Sequence, residues 1–198
     1  MPDFRYDDEA HVYTLDGVRL PSVTQLIQEA DLSDYSHVPA IRLEAARNWG
    51  VALHRMCELY LKDDLDEDTL DEPLRPVLWG LKSWLSERPD GWLKSARLEE
   101  PSFNSRLKYA GTPDIVTPEV VIDVKSRPAN MLIDSIQVVA YDKMDGGDRE
   151  HRILVLHEDG SYQYQRVNST KAKRNLAWSR FRHILELHKM KMEVLKWK

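Results

Sequence analysis

The chain has a single cysteine, Cys57, among its 198 residues. A lone thiol excludes an internal disulfide and a four-cysteine iron–sulfur cluster, and Cys57 reads as a small residue on a helix face. No apolar run approaches the ~20 residues that a membrane-spanning helix requires. The opening Met1-Pro-Asp-Phe-Arg5 lacks a signal-peptide profile, so a cytoplasmic protein without a membrane partner is expected. Internal repeats and low-complexity blocks are also missing, and residues 1–198 read as one domain. A hydrophobic content of 42% is enough for a sizeable core. Positive charge is scarce overall, with a net charge of −5. Its distribution is uneven: from Arg166 to Lys198 ten Lys/Arg stand against Glu186 and Glu193, which leaves +8 there and −13 elsewhere. Part of the negative charge lies in residues 63–72, which lack EF-hand spacing and read as a solvated loop.

What is present centres on Tyr109 to Ser126. Ile115-Val116 and Val120-Val-Ile-Asp-Val124 are β-branched runs around Thr117-Pro118-Glu119, the pattern of a hairpin. A turn centred between Pro118 and Glu119 sets Asp114 opposite Asp123, with Cβ atoms roughly 5 Å apart. Lys125 projects on the same side as Asp123, while Ile122 and Val124 turn into a core. Two carboxylates on an apolar hairpin repel, and a divalent cation bridging them beside an ammonium relieves that repulsion. Such a site suits phosphodiester hydrolysis.

Other segments follow from local pattern. Phe4 to Leu20 alternates around Asp16-Gly17 and predicts a small N-terminal hairpin, serving as a lid or a packing element. Ser22 can cap the next helix, with Gln25 reaching back as in a capping box; the free amides there either bind phosphate or simply form a cap. Ala40 to Leu61 predicts a helix with Ile41, Leu43, Ala46, Val51, Leu53, Met56, Leu59 and Tyr60 available for burial, and Arg47, Gly50 and His54 on one face. Leu74 to Leu85 predicts a core-facing helix that buries Trp79 and Trp84, and Trp92 to Glu100 a strand. Asn130 to Met144 predicts a helix with Gln137 and Tyr141 on one side. Two strands flank Glu158-Asp-Gly-Ser161. A terminal helix from Lys171 packs through Leu176, Phe181, Ile184, Leu185 and Leu187, and its basic surface is a phosphate track or is merely solvated. The element order predicts an α/β fold, a mixed sheet flanked by helices.

Gly111-Thr-Pro-Asp114, Asp123-Val-Lys125 and Gln137-Val-Val-Ala-Tyr141 occur in the order of the PD-(D/E)xK nucleases of the RecB type, and the chain resembles that superfamily. Leu20-Pro-Ser-Val-Thr-Gln-Leu-Ile27 and Gly50-Val-Ala-Leu-His54 look like its phage and prophage exonucleases. The resemblance runs from about Phe4 to Tyr141. It implies a restriction-endonuclease-like core and a Mg²⁺- or Mn²⁺-dependent DNA exonuclease of phage-type recombination or DNA repair, in a bacterial or phage-infected cell. Asp114 and Asp123 would hold one or two ions, with the Val124 carbonyl, His54 and Glu99 completing the ligand set and Lys125 acting in catalysis; Glu99 is chosen over its neighbour Glu100 because it stands twelve residues before Gly111, though either could serve. Ser22, Thr24, Arg47, Gly50, Arg127, Gln137 and Tyr141 would face DNA. A single-strand annealing protein as partner and a homo-oligomeric ring are further implications. The other readings are a structure-selective endonuclease on the same fold and a non-catalytic DNA-binding recombination accessory protein.

Overall fold

A computed structural model describes residues 2–32 and 37–196; of the basic end, Lys198 lies outside the described residues. Strands β1 (Phe4–Asp7), β2 (Val12–Leu15) and β3 (Val18–Leu20) form an antiparallel sheet in the order β1-β2-β3. Asp16 and Gly17 both take positive φ, at 51° and 77°, as a two-residue I′ turn demands. The predicted hairpin is thus β2–β3, extended by a third strand.

Helix α1 (Val23–Glu29) starts at Ser22, whose Oγ accepts the Gln25 N–H at 3.0 Å. The reciprocal half of the capping box does not form, because the Gln25 amide donates instead to Glu29, four residues on along the same face, at 2.7 Å. Helix α2 (Ala40–Leu61) buries only Leu53, Met56 and Cys57 fully. Ile41, Leu43 and Val51, expected inside, are exposed, Ile41 by 76%. Periodicity identifies a shared face, but among the described residues the first two turns of this helix stay exposed, and packing begins at Trp49. In α3 (Leu74–Ser86), Val77, Leu78, Leu81 and Trp84 are buried. Trp79 is 64% exposed, contrary to expectation, because it follows Leu78 and so turns off the apolar stripe.

The segment predicted as one strand from Trp92 to Glu100 is a 3₁₀ turn at Trp92–Ser95 followed by the two-residue β4 (Arg97–Leu98). Hairpin β5 (Ser102–Asn104) and β6 (Tyr109–Gly111) meets the N-terminal sheet where Ala110 N–H donates to the Pro21 carbonyl at 3.0 Å. Then come β7 (Ile115–Val116), β8 (Val120–Lys125), α4 (Met131–Asp142), β9 (Glu150–Leu156), β10 (Tyr162–Val167) and α5 (Lys171–Lys196).

The main sheet has the order β10-β9-β8-β7-β4, and only β8 and β9 are parallel, joined across α4. The protein is therefore mixed α/β, with a mixed sheet and, among the described residues, five α-helices. Val120, Ile122 and Val124 of β8 pack towards α2 and α3, while Val121 joins Ile153 and Val155 against α1, α4 and α5. A strand covered on both faces reads as a continuous β-branched run, as β8 does. On α5, Phe181 and Leu185 are buried, but Leu176 and Leu187 stay exposed, because the neighbours of this helix cover a single stripe. Among the described residues no helix is long and apolar enough to cross a membrane.

Candidate functional site

The site is built on one rung of the sheet. Ile115 pairs with Ile122 and Leu98 with Ile115, and one step further those registers align Glu99, Asp114 and Asp123 across β4, β7 and β8. Ladder neighbours at one rung share a face, so three carboxylates point the same way at the place where β4 and β7 stop. Thr117 makes the hairpin tight: its N–H donates to the Val120 carbonyl at 2.9 Å, and its hydroxyl accepts from the Val120 N–H at 3.1 Å. Glu99 closes β4 with φ of +48°, a conformation rare outside glycine, and its N–H donates to the Asp114 carbonyl at 3.0 Å. Its side chain is partly buried in the site, whereas Glu100 is exposed. Of the two acidic residues, Glu99, the one preferred from the sequence, stands on the rung, and Glu100 lies one residue beyond it.

Six contacts tie the group together. Asp114 Oδ2 accepts the Val124 N–H, and Asp114 Oδ1 lies 3.1 Å from His54 Nδ1 on α2. In a strand the N–H and carbonyl of one residue face the same edge, so the Val124 carbonyl is directed to the carboxylate side. Lys125 Nζ stands 2.6 Å from Asp123 Oδ2 and donates to Gln137 Oε1 at 3.2 Å. Gln137 Nε2 lies 3.1 Å from Asp123 Oδ1 and 3.0 Å from the Tyr141 hydroxyl. Both ends of the Gln137 amide are thereby engaged, so it holds the carboxylate and ammonium in place.

Burial and charge set the protonation states. Burial pushes Asp123 up to about 6, with Lys125 opposing the rise and Asp114 adding to it. Burial, then the Asp114 charge, pushes Glu99 up to about 10. Asp114 pays the same desolvation cost, but His54, Lys125 and the Val124 N–H outweigh it and hold it below the usual carboxylate range. His54 is raised by the Asp114 charge against its own burial. The neighbouring carboxylates lift Lys125 although burial works against its charge.

A divalent cation fits these donors. His54, Glu99 and Asp114 each offer a ligand atom within 4.8 Å of the others. Asp123 Oδ2 is buried, with the Lys125 ammonium at 2.6 Å as its one close partner among the described residues. An oxygen in that state has lone pairs to spare. An oxygen-rich set with one imidazole suits a hard or borderline ion.

The rung opens into a cavity of about 840 Å³. Of the residues expected to face DNA, Thr24, Arg47, Gly50, Gln137 and Tyr141 line it. Ser22 does not line it, since its hydroxyl is occupied in capping α1. Arg127 lies instead on a neighbouring groove, where it pairs with buried Asp134 at 2.6 Å. The sequence reading missed Tyr6, His11 and Tyr13, which form part of the cavity wall. Tyr13 is fixed there by a 2.8 Å hydrogen bond with Thr112, a contact across 99 positions that no local pattern signals. Compared with models of known protein families and with curated proteins, the chain matches none of them.

Proposed function

We propose that this protein is a metal-dependent DNA exonuclease on a restriction-endonuclease-like core. The observation that carries the reading is the single rung of Glu99, Asp114 and Asp123, followed two residues later on β8 by Lys125, at the mouth of a large cavity. The parallel β8–α4–β9 unit beside the antiparallel β7 supports the core assignment.

Asp114, Asp123, Glu99, the Val124 carbonyl and His54 are the residues that would hold Mg²⁺ or Mn²⁺, as one ion or two. When bound, the cation would supply positive charge to the scissile phosphate and lower the pKa of a water. Lys125 orients that water or neutralises charge building on the phosphate, and Gln137 keeps the ammonium from collapsing wholly onto Asp123. Tyr141 anchors Gln137 from behind, and burial keeps its hydroxyl protonated by pushing it well above its ordinary value. Arg47 and Gly50 lie along the cavity wall where a DNA backbone would pass.

The test is cleavage of end-labelled linear single- and double-stranded DNA, with and without a 5′-phosphate, in Mg²⁺ and in Mn²⁺. Wild type degrades linear DNA and leaves covalently closed circles whole. Lys125→Ala and Asp123→Ala lose cleavage by at least ~10²-fold, the scale of one preorganised electrostatic group, while folding and binding DNA. Cutting of closed circles would indicate an endonuclease. Silence on every substrate with both metals would leave a DNA-binding accessory protein.

A further inference from the structure

A second cavity, of about 480 Å³, lies beside the first and is used by nothing described so far. It runs between α1 and α4 and shares Thr24, Gln28 and Gln137 with the carboxylate cavity, so the two are separated only by side chains already at the site. Its walls are apolar, from Ile27, Ile133 and Pro128. Its polar lining is Thr24, Gln28, Asp31, Asn130, Gln137 and Arg127, the last paired with Asp134. The Gln28 amide has no hydrogen-bond partner among the described residues. Asn130 spends its Oδ1 on the Leu132 and Ile133 N–H groups, each at 3.2 Å, which leaves its Nδ2 as a donor. Asp31 contributes a carboxylate at the edge, in a backbone conformation with φ of +48°.

A slot with apolar walls, an unused donor–acceptor amide, a second amide donor and an acidic acceptor matches the flat faces and hydrogen-bonding edge of a nucleobase. Its volume falls within the ~300–1,000 Å³ of small-ligand sites. We infer that this groove is a nucleoside subsite, which takes the base next to the scissile phosphate out of the stack. The inference rests on the nuclease reading for the phosphate end of the strand, because continuity with the carboxylate cavity is what selects a nucleotide as the occupant. A base held between α1 and α4, with its edge on Gln28 and Asn130, cannot also be paired. The strand delivered to Asp114 and Asp123 is therefore unpaired at that position, and single-stranded or frayed ends are preferred over blunt duplex. Amides that rotate accept several base edges, so the slot favours no single base strongly.

The probes are dAMP and dCMP, titrated into the metal-free full chain and followed by calorimetry and by NMR, together with single-stranded oligonucleotides carrying an abasic residue at the terminus. Wild type binds both nucleotides, with shifts at α1 and α4. Gln28→Ala, on the exposed side of α1, weakens them about three- to tenfold, as expected for one lost hydrogen-bonding group. Ile133→Trp fills the slot and abolishes binding. The terminal abasic substrate is cut at least about tenfold more slowly than its intact counterpart at subsaturating concentration. If DNA is degraded while neither nucleotide binds and the abasic end is cut normally, the subsite is overturned and the nuclease reading stands. If the nucleotides bind and Gln28→Ala weakens them, but no DNA is cut, the subsite stands and hydrolysis is overturned.

Discussion

Glu99 carries its carboxyl at about 10, against an ordinary value of 4.5. The folded chain thus keeps a proton that the unfolded chain would shed. The stabilisation from that proton is complete below pH 4.5 and is lost as the pH rises towards 10. Asp123, raised to about 6 from 3.8, adds a smaller effect of the same sign in its own window. The metal-free protein is accordingly expected to lose thermal stability between pH 5 and pH 9, measured by scanning calorimetry, with Glu99→Gln flattening the decline. Ligation needs the carboxylate, so binding Mg²⁺ or Mn²⁺ at pH 7 should release at least about one proton. Calorimetry in buffers of different ionisation enthalpy would count it, and Glu99→Gln should remove it. An unchanged proton count in Glu99→Gln would take Glu99 out of the ligand set.

Two glycines have opposite roles within their helices. Gly80 of α3 meets the β9–β10 turn so closely that a Cβ would stand 2.9 Å from the Gly160 carbonyl oxygen and 3.3 Å from that of Ser161. Backbone cannot move aside as a flexible side chain would, so Gly80→Ala should lower stability by about 1–3 kcal/mol in urea denaturation. A neutral result would show that α3 can shift away from the turn. On α2, a Cβ at Gly50 meets, among the described residues, only Ser126 Oγ, at an ordinary 3.6 Å. No close neighbour in the fold requires a glycine there, and Gly50→Ala should stabilise the protein by about 0.5–1 kcal/mol through helix propensity. The same change narrows the cavity wall along which a DNA backbone would run, so affinity for DNA should fall as stability rises. A rise in stability with affinity untouched would place DNA elsewhere.

Taken as a whole, the molecule separates its charge, with the acidic cavity at one end of the sheet and a basic α5. Part of that basic charge is already compensated: Arg174 pairs with Asp148, and Lys189 with Glu186. Lys171 and Lys173, exposed at the start of α5, make no ion pair among the described residues. If α5 tracks phosphates, replacing both with Gln should weaken DNA binding alike for all sequences. The slope of log affinity against log salt should also fall by about two. A slope that does not move would mean that the helix is only solvated.

The sequence by itself determined what depends on neighbours along the chain. The β-branched runs and the Thr117-Pro118-Glu119 turn fix the β7–β8 register, and with it Asp114 opposite Asp123 and Lys125 on the same side; Asp16-Gly17 and the Ser22 cap follow from turn and cap chemistry. Glu99 was preferred to Glu100 only by its spacing from Gly111, because a two-residue strand has too little pattern to fix its own phase. Only the tertiary structure decided which elements face one another. It brings His54 against Asp114, closes the cavity with Tyr13, turns the Gln137 amide onto Asp123 and Lys125, and opens the groove between α1 and α4. It also leaves Ile41, Val51 and Trp79 in solvent. Periodicity records the face a residue occupies, while burial and contact need a partner surface, and that partner lies tens of residues away.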